Sequence, residues 1–466
     1  MNKKKIVVLG AGESGVGAAI LARQKGYDVF VSDAGSIQPK YKELLDRHHI
    51  AWEEGTHTMH RLLDADECVK SPGIPETAPA PAALAARGIP LIGELEFAAR
   101  YLKGQTICIT GSNGKTTTTS LVHYMLKQAG YSVGLGGNIG KSLALQVAEG
   151  EEHDWTVLEV SSFQLDTMYD FRADISVLLN ITPDHLDRYG FEMQRYVDSK
   201  MRIIQNQRQQ DCFIFWADDA YAPSELAKRH AEGNAVTPLP FADFPEAGCF
   251  SADYEGTLRI DIPSGVTPRL EDGASLAIPV SELSIPGRHN VRNCQAAALA
   301  ALAAGVEAET VKACLRSFPG VEHRLERAGE ADGVTYVNDS KATNVDACFV
   351  ALEAQTSPVV LIVGGTDKGN DYTTLFDLIA RKCRAIVFLG ADNAKLHQAF
   401  DAFAAEHGIA IADTHNMPDC VRAATSLARR GDTVLLSPCC ASFDLFNNMA
   451  HRGRLFKEEV KNLLKD

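Results

Sequence analysis

Short apolar runs that end on glycine recur along the chain, each followed by a stretch whose apolar residues have helical spacing. The first is Ile6-Val7-Val8-Leu9, which enters Gly10, continues as an Ala-rich stretch to about Gly26, and returns as an apolar run from Asp28 to Ser32 that closes on Asp33. That order predicts a βαβ unit. Residues 106–110 run into Gly111-Ser112-Asn113-Gly114-Lys115-Thr116 and continue as a predicted helix to Leu126. A third start, Pro358-Val359-Val360-Leu361-Ile362-Val363, ends in Gly364-Gly365. Between about residues 211 and 285 the periodicity is weak and broken by Pro and Gly, whereas residues 290–304 form an Ala-rich helical stretch. Alternating strands and helices predict an α/β protein of parallel sheets covered on both faces, with ligands at the carboxyl ends of the strands. Boundaries near Gly93 and Gly320 divide it into three domains, 1–93, 94–320 and 321–466, as expected for 466 residues at roughly 150 per domain.

Composition narrows the class. No apolar run is long enough to span a bilayer, and the basic start Met1-Asn2-Lys3-Lys4-Lys5 lacks the apolar core of a signal peptide, so a cytoplasmic protein without membrane insertion is expected. A formal net charge of -14 argues against general nucleic-acid binding, which relies on a positive field. The eleven cysteines include no CxxC pair, which predicts reduced, mostly buried thiols.

Candidate chemistry lies at the glycine turns. Gly10-Ala11-Gly12-Glu13-Ser14-Gly15 is a GxGxxG turn, with Asp33 at the spacing of a ribose-binding acid. A dinucleotide, a UDP-sugar and a purely structural turn all remain open, because the glycines and helix N-terminus favour any diphosphate. Residues 111–116 fit GxxGKT but not the full GxxxxGKT, since Ile109 stands where the longer motif needs glycine. The physical arrangement survives: backbone N–H groups for phosphate oxygens, Lys115 for the β/γ charge, Thr116 for Mg²⁺. In Thr156-Val157-Leu158-Glu159-Val160 one carboxylate interrupts an apolar strand, which makes Glu159 the first Mg²⁺ candidate; a polar face of an edge strand is the alternative. His185, in Thr182-Pro183-Asp184-His185-Leu186-Asp187-Arg188-Tyr189, is a candidate second metal ligand. Asn338-Asp339-Ser340-Lys341-Ala342-Thr343-Asn344 reads equally as a capped turn, and residues 437–444 contain cysteines with no base paired to them by spacing.

Taken together and in order, residues 10–17, 71–74, 111–117, 137–140, 159–165, 180–189, 287–290, 339–344 and 437–444 resemble the Mur ligase family over nearly the whole chain. The resemblance implies a Rossmann-like N-terminal domain, a central P-loop-type ATPase domain and a Rossmann-like C-terminal domain. It implies ATP-dependent ligation of an amino acid to a UDP-linked muramoyl substrate through an acyl phosphate. Segments 71–74 and 437–444 favour UDP-N-acetylmuramoyl-L-alanine and D-glutamate as the substrates, with a monomer as the working unit. By the same resemblance, Gly12, Ser14, Gly15, Asp33, Ser71 and Asn138 would meet the UDP-substrate. Gly111, Ser112, Asn113, Gly114, Lys115, Thr116 and Thr117 would hold the ATP phosphates, and Asn290, Asn293, Arg324 and Asp339 the adenine and ribose. Thr116, Glu159, His185 and a carbamylated Lys200 would bind Mg²⁺. Lys115, Asn138, His185, Lys200 and Arg324 would act in catalysis, while Lys341, Thr343, Lys368, Ser442 and Phe443 would shape the D-glutamate pocket.

Two departures from the family pattern stand out. Lys141-Ser142 follows the Gly140 turn where Pro is common nearby, and Ala34-Gly35 leave few side-chain groups beside Asp33. Rival readings are another ligase of the superfamily, an NAD-dependent dehydrogenase that would leave Lys115 and Glu159 without a role, and a non-catalytic nucleotide switch.

Overall fold

The computed structural model describes residues 3–463 except 271 and 368. It divides into two compact units, Met1–Phe318 and Pro319–Asp466. The first carries two sheets. Strands β1 (Lys5–Leu9), β2 (Asp28–Asp33), β3 (Ala51–Glu54), β4 (Glu67–Lys70) and β5 (Leu91–Ile92) lie in the order β3-β2-β1-β4-β5, all parallel. The second sheet comprises β6 (Gln105–Thr110), β7 (Val133–Gly137), β8 (Trp155–Glu159), β9 (Ile175–Leu178), β10 (Cys212–Trp216), β11 (Thr237–Phe241), β12 (Ser251–Tyr254), β13 (Thr257–Ile262) and β14 (Ala274–Pro279). Its order is β14-β13-β12-β11-β10-β9-β6-β8-β7. In the second unit, β15 (Glu326–Ala331), β16 (Val334–Asn338), β17 (Val359–Gly364), β18 (Cys383–Leu389), β19 (Ala410–Thr414) and β20 (Thr433–Cys439) are ordered β15-β16-β20-β17-β18-β19.

The three glycine-terminated runs are β1, β6 and β17, and each is buried in its sheet, as expected for parallel strands covered on both faces. Parallel pairing is not universal. β12–β13, β13–β14 and β15–β16 are antiparallel; tight turns at 255–256 and 332–333 join the first and last pairs, and residues 263–273 join β13 to β14. β13 and β14 have one face in water, so their apolar residues alternate, and this is the region whose sequence pattern looked broken.

Ten of the eleven cysteines are buried and all are free thiols; Cys249 is partly exposed. Among the described residues no helix is long and apolar enough to cross a membrane.

Candidate functional site

In the first sheet, Gly10 sits at φ +91°, and a Cβ on Gly15 would stand 1.9 Å from the Gly10 carbonyl oxygen, so a side chain at either position would strain the turn. The helix Glu13–Gln24 then starts at Gly12 without a side-chain cap, leaving its first N–H groups for a ligand. Asp33, at the end of β2, accepts from the N–H of Ala11 at 2.7 Å and of Gly35 at 2.8 Å, so its carboxylate also orders the turn. Ser71 closes the other side: its Oγ lies 2.6 Å from where a Cβ on Gly10 would be. Gly12, Ser14, Gly15, Asp33 and Ser71 thus surround one turn.

That turn is fastened to the second sheet. A Cβ on Gly17 would stand 2.2 Å from Ser142 Oγ, and the buried Glu94 carboxylate accepts from Ser142 Oγ at 2.8 Å and from Ala144 N–H at 2.7 Å. Between Glu94 and the glycine turn, a small cavity is lined by Ser14, Pro72, Gly93, Leu95, Gln164 and Thr167. Ser142 follows the loop that carries Asn138, whose N–H donates to the Glu159 carbonyl and whose Nδ2 donates to Glu159 Oε1, each at 2.8 Å.

Glu159 ends β8, which lies between β6 and β7 and not at the sheet edge. Its side chain is buried, and its Oε2 has no hydrogen-bond partner. A buried carboxylate oxygen without a donor is costly, and a hard cation supplies what it lacks. The residues therefore fit Mg²⁺. Among the described residues no three His, Cys, Asp or Glu side chains are grouped so as to hold a metal ion by themselves.

After β6 the loop turns at Gly111 (φ +148°) and Gly114 (φ +86°), and the helix Lys115–Gln128 begins. Asn180 braces it, accepting from Asn113 N–H at 2.9 Å and donating to the Asn113 carbonyl at 3.1 Å. Lys115 Nζ curls over the loop, donating to the carbonyls of Gly111 (2.8 Å) and Ser112 (2.9 Å). Thr116 and Thr117 occupy the first turn of the helix. Asn293 reaches the same place, accepting from Thr118 Oγ1 at 3.3 Å and donating to Asn290 Oδ1 at 3.0 Å.

Lys200 is almost fully buried, with its Nζ 4.6 Å from the centre of the Tyr196 ring. Burial, and then the like charge of Lys115, drive its ammonium well below the ordinary lysine range. Tyr196 in turn meets Ser112 Oγ at 3.0 Å, tying the helix Met193–Met201 to the loop after β6. His185 is exposed, in left-handed backbone at φ +52°, and packs its ring on Phe163 with centroids 5.2 Å apart.

In the second unit, Asp339 follows β16, accepts from Ser437 Oγ at 2.9 Å and from Leu325 N–H at 3.2 Å, and is pushed up to about 7 by burial. Arg324, with its Nε buried and unpartnered, lies between His323 and Leu325, both at positive φ. This is backbone that non-glycine residues rarely adopt. Lys341 and Thr343 share the turn after Asp339, Ser442 is buried and Phe443 is 71% exposed. Lys368 lies outside the described residues.

Two residues at these sites carry no mark in the sequence. Arg452, almost fully buried, donates to Ser340 Oγ (3.0 Å), the Ser340 carbonyl (2.9 Å), the Cys440 carbonyl (3.2 Å) and the Gly364 carbonyl (3.4 Å), so one guanidinium joins the loops after β16, β17 and β20. Asp219 accepts from Ile181 N–H at 2.7 Å and anchors the start of the His185 loop. Neither carries a local signal, since each role exists only when distant loops meet.

Residues 5–79 match the MurD N-terminal domain, 109–301 the Mur ligase middle domain and 323–440 the Mur ligase glutamate ligase domain. The chain belongs to the Mur ligase family. More particularly, it is 53% identical over 461 residues to UDP-N-acetylmuramoylalanine--D-glutamate ligase of Bacteroides thetaiotaomicron, covering 99% of this chain and 100% of that protein. The enzyme of the same name from Porphyromonas gingivalis is 48% identical, with 99% of each chain covered. Among solved structures, the UDP-N-acetylmuramate-alanine ligase MurC of Thermotoga maritima shares the fold, with a TM-score of 0.58 at 18% identity over 99% of this chain and 100% of that one. The MurF ligase of Thermotoga maritima in complex with ADP does so with a TM-score of 0.56 at 18% identity, over 94% and 95%.

Proposed function

We propose that the protein is an ATP-dependent ligase that joins D-glutamate to UDP-N-acetylmuramoyl-L-alanine, releasing ADP and phosphate. The observation that carries this reading is the similarity along the full chain to relatives of that name, at 53% identity. It acts as a monomer in the cytoplasm, in peptidoglycan precursor synthesis, with domains 1–93, 94–320 and 321–466.

The turn at Gly12, Ser14 and Gly15, with Asp33, Ser71 and Asn138, takes the UDP-substrate. The loop from Gly111 to Thr117 binds the ATP phosphates, with Asn290, Asn293, Arg324 and Asp339 at the nucleoside. The terminal carboxylate oxygen of the L-alanyl group attacks the γ-phosphorus while the bond to the β-phosphate oxygen breaks, giving an acyl phosphate and ADP. Two anions must approach, so neutralising charge is the main task of the site. Lys115 and Arg324 supply it from the protein. Thr116, Glu159, His185 and Lys200, once its neutral amine has taken up CO₂, would hold Mg²⁺, which contributes further charge neutralisation. The D-glutamate amine then attacks the acyl carbon, the carbon–oxygen bond to phosphate breaks, and the nitrogen loses its proton. Lys341, Thr343, Lys368, Ser442 and Phe443 hold this dicarboxylate, for which two lysines are suited.

Phosphate release with ATP, Mg²⁺ and UDP-N-acetylmuramoyl-L-alanine tests the reading. Release should depend on D-glutamate and not on L-glutamate, L-alanine or a diamino acid. Release with a different amino acid would move the substrate assignment, and none with any would overturn ligation.

A further inference from the structure

Strand β4 ends in Lys70, and the four residues that follow, Ser71-Pro72-Gly73-Ile74, form the turn that packs against Gly10. All four carbonyl oxygens of this turn accept from cationic side chains. Lys70 Nζ donates to the carbonyls of Ile74 (2.8 Å) and Ser71 (3.4 Å). Arg188 Nη1 donates to Gly73 (3.3 Å) and Nη2 to Pro72 (3.5 Å).

Lys70 is buried, with 2% of its surface exposed, and a side chain that buries its ammonium beneath a turn gives up solvation for a fixed position. Arg188 reaches the turn from another part of the chain. It belongs to the loop of His185, and its guanidinium carbon stands 4.4 Å above the centre of the Phe163 ring, on which His185 also packs. Turn, arginine, phenylalanine and histidine therefore form one contiguous chain of contacts. Lys70 and Arg188 repel each other at this turn, the carboxylates of Glu76 and Asp166 offset part of the charge at Lys70, and an anionic ligand would relieve the repulsion further.

We propose that Lys70 and Arg188 are positioning residues for the UDP-linked substrate: they hold the 71–74 turn against the glycine turn by its carbonyl oxygens and place positive charge beside the diphosphate. Arg188 additionally sets the His185 loop relative to the bound substrate. The inference rests on the function proposed above, through the assignment of the glycine turn and Ser71 to the UDP moiety. It adds to that reading a pair of cations that need not touch the substrate.

The test is calorimetric binding of UDP-N-acetylmuramoyl-L-alanine to the wild type, Lys70→Met and Arg188→Met, with a non-hydrolysable ATP analogue titrated in parallel. Circular dichroism checks that each variant is folded. Each variant should weaken the UDP-substrate about tenfold, the scale of losing one charge-assisted hydrogen bond, and leave the ATP analogue unchanged. Arg188→Lys should recover part of the loss, and only Arg188→Met should also lower kcat. If Lys70→Met does not fold, Arg188→Met carries the same comparison. Wild type that binds while both variants bind as tightly would overturn this inference alone. Equal weakening of both ligands would reduce the pair to a structural role and overturn it too. Wild type that does not bind the UDP-substrate would overturn the proposed function and this inference with it.

Discussion

Glu159 shows what a single side chain can reveal. It interrupts an apolar strand, its Oε1 is taken by Asn138, and its Oε2 is buried without a partner. A carboxylate in that state weakens the fold, and a bound cation would offset the cost. Glu159→Gln keeps the Asn138 contact and removes the buried charge. It should melt at the same temperature as the wild type or higher while D-glutamate-dependent phosphate release falls about a hundredfold or more, the scale of losing one electrostatic contact to a reacting group. A melting temperature lowered by several degrees would instead make Glu159 a structural residue. This position was legible in the sequence because a lone charge in an apolar run is conspicuous whatever surrounds it. Lys70 was not, because a lysine at a strand end is ordinary until the turn that covers it is in place.

At the scale of elements, what could be read was whatever depended on local pattern. The runs that became β1, β6 and β17 end on glycines whose positive φ the turn requires, so strand, turn and helix all left marks in the sequence. Strands β12, β13 and β14 left weak ones, because a hairpin with one wet face needs only alternation, and Pro and Gly interrupt it. The glycines of the first turn differ in what they do. A Cβ on Gly15 would overlap the Gly10 carbonyl, whereas one on Gly12 would meet nothing within 4 Å. Gly15→Ala should therefore cost about 2 kcal/mol or more in urea unfolding, by forcing the turn open, and Gly12→Ala under about 1 kcal/mol. Equal costs would mean that the turn relaxes freely and that its glycines serve only the approach of a ligand.

The molecule as a whole contains two compact units, the first with two sheets and the second with one, each with its own apolar core, and their transitions are expected to separate in a calorimetric scan. Asp339 provides the label for the second unit. Its carboxyl is held at about 7 by burial against an ordinary 3.8, so the folded state keeps its proton more tightly than the unfolded chain. Its contribution is fully present below the unfolded value and is lost as pH rises through about 7, a change of up to roughly 4 kcal/mol. The transition of Pro319–Asp466 should fall between about pH 4 and pH 7 in the wild type and level off above, and Asp339→Asn should remove most of that fall. Residues 111–117 belong to the other unit, so ATP with Mg²⁺ at about a hundred times its Kd should add about 2.7 kcal/mol to the transition of that unit, and Asp339→Asn, which removes a proposed nucleoside contact, should reduce the gain. Lys115→Met should abolish that gain, since the loop would lose the cation lying over its carbonyls. If pH without nucleotide instead moved one shared transition, the two units would be unfolding as a single cooperative body.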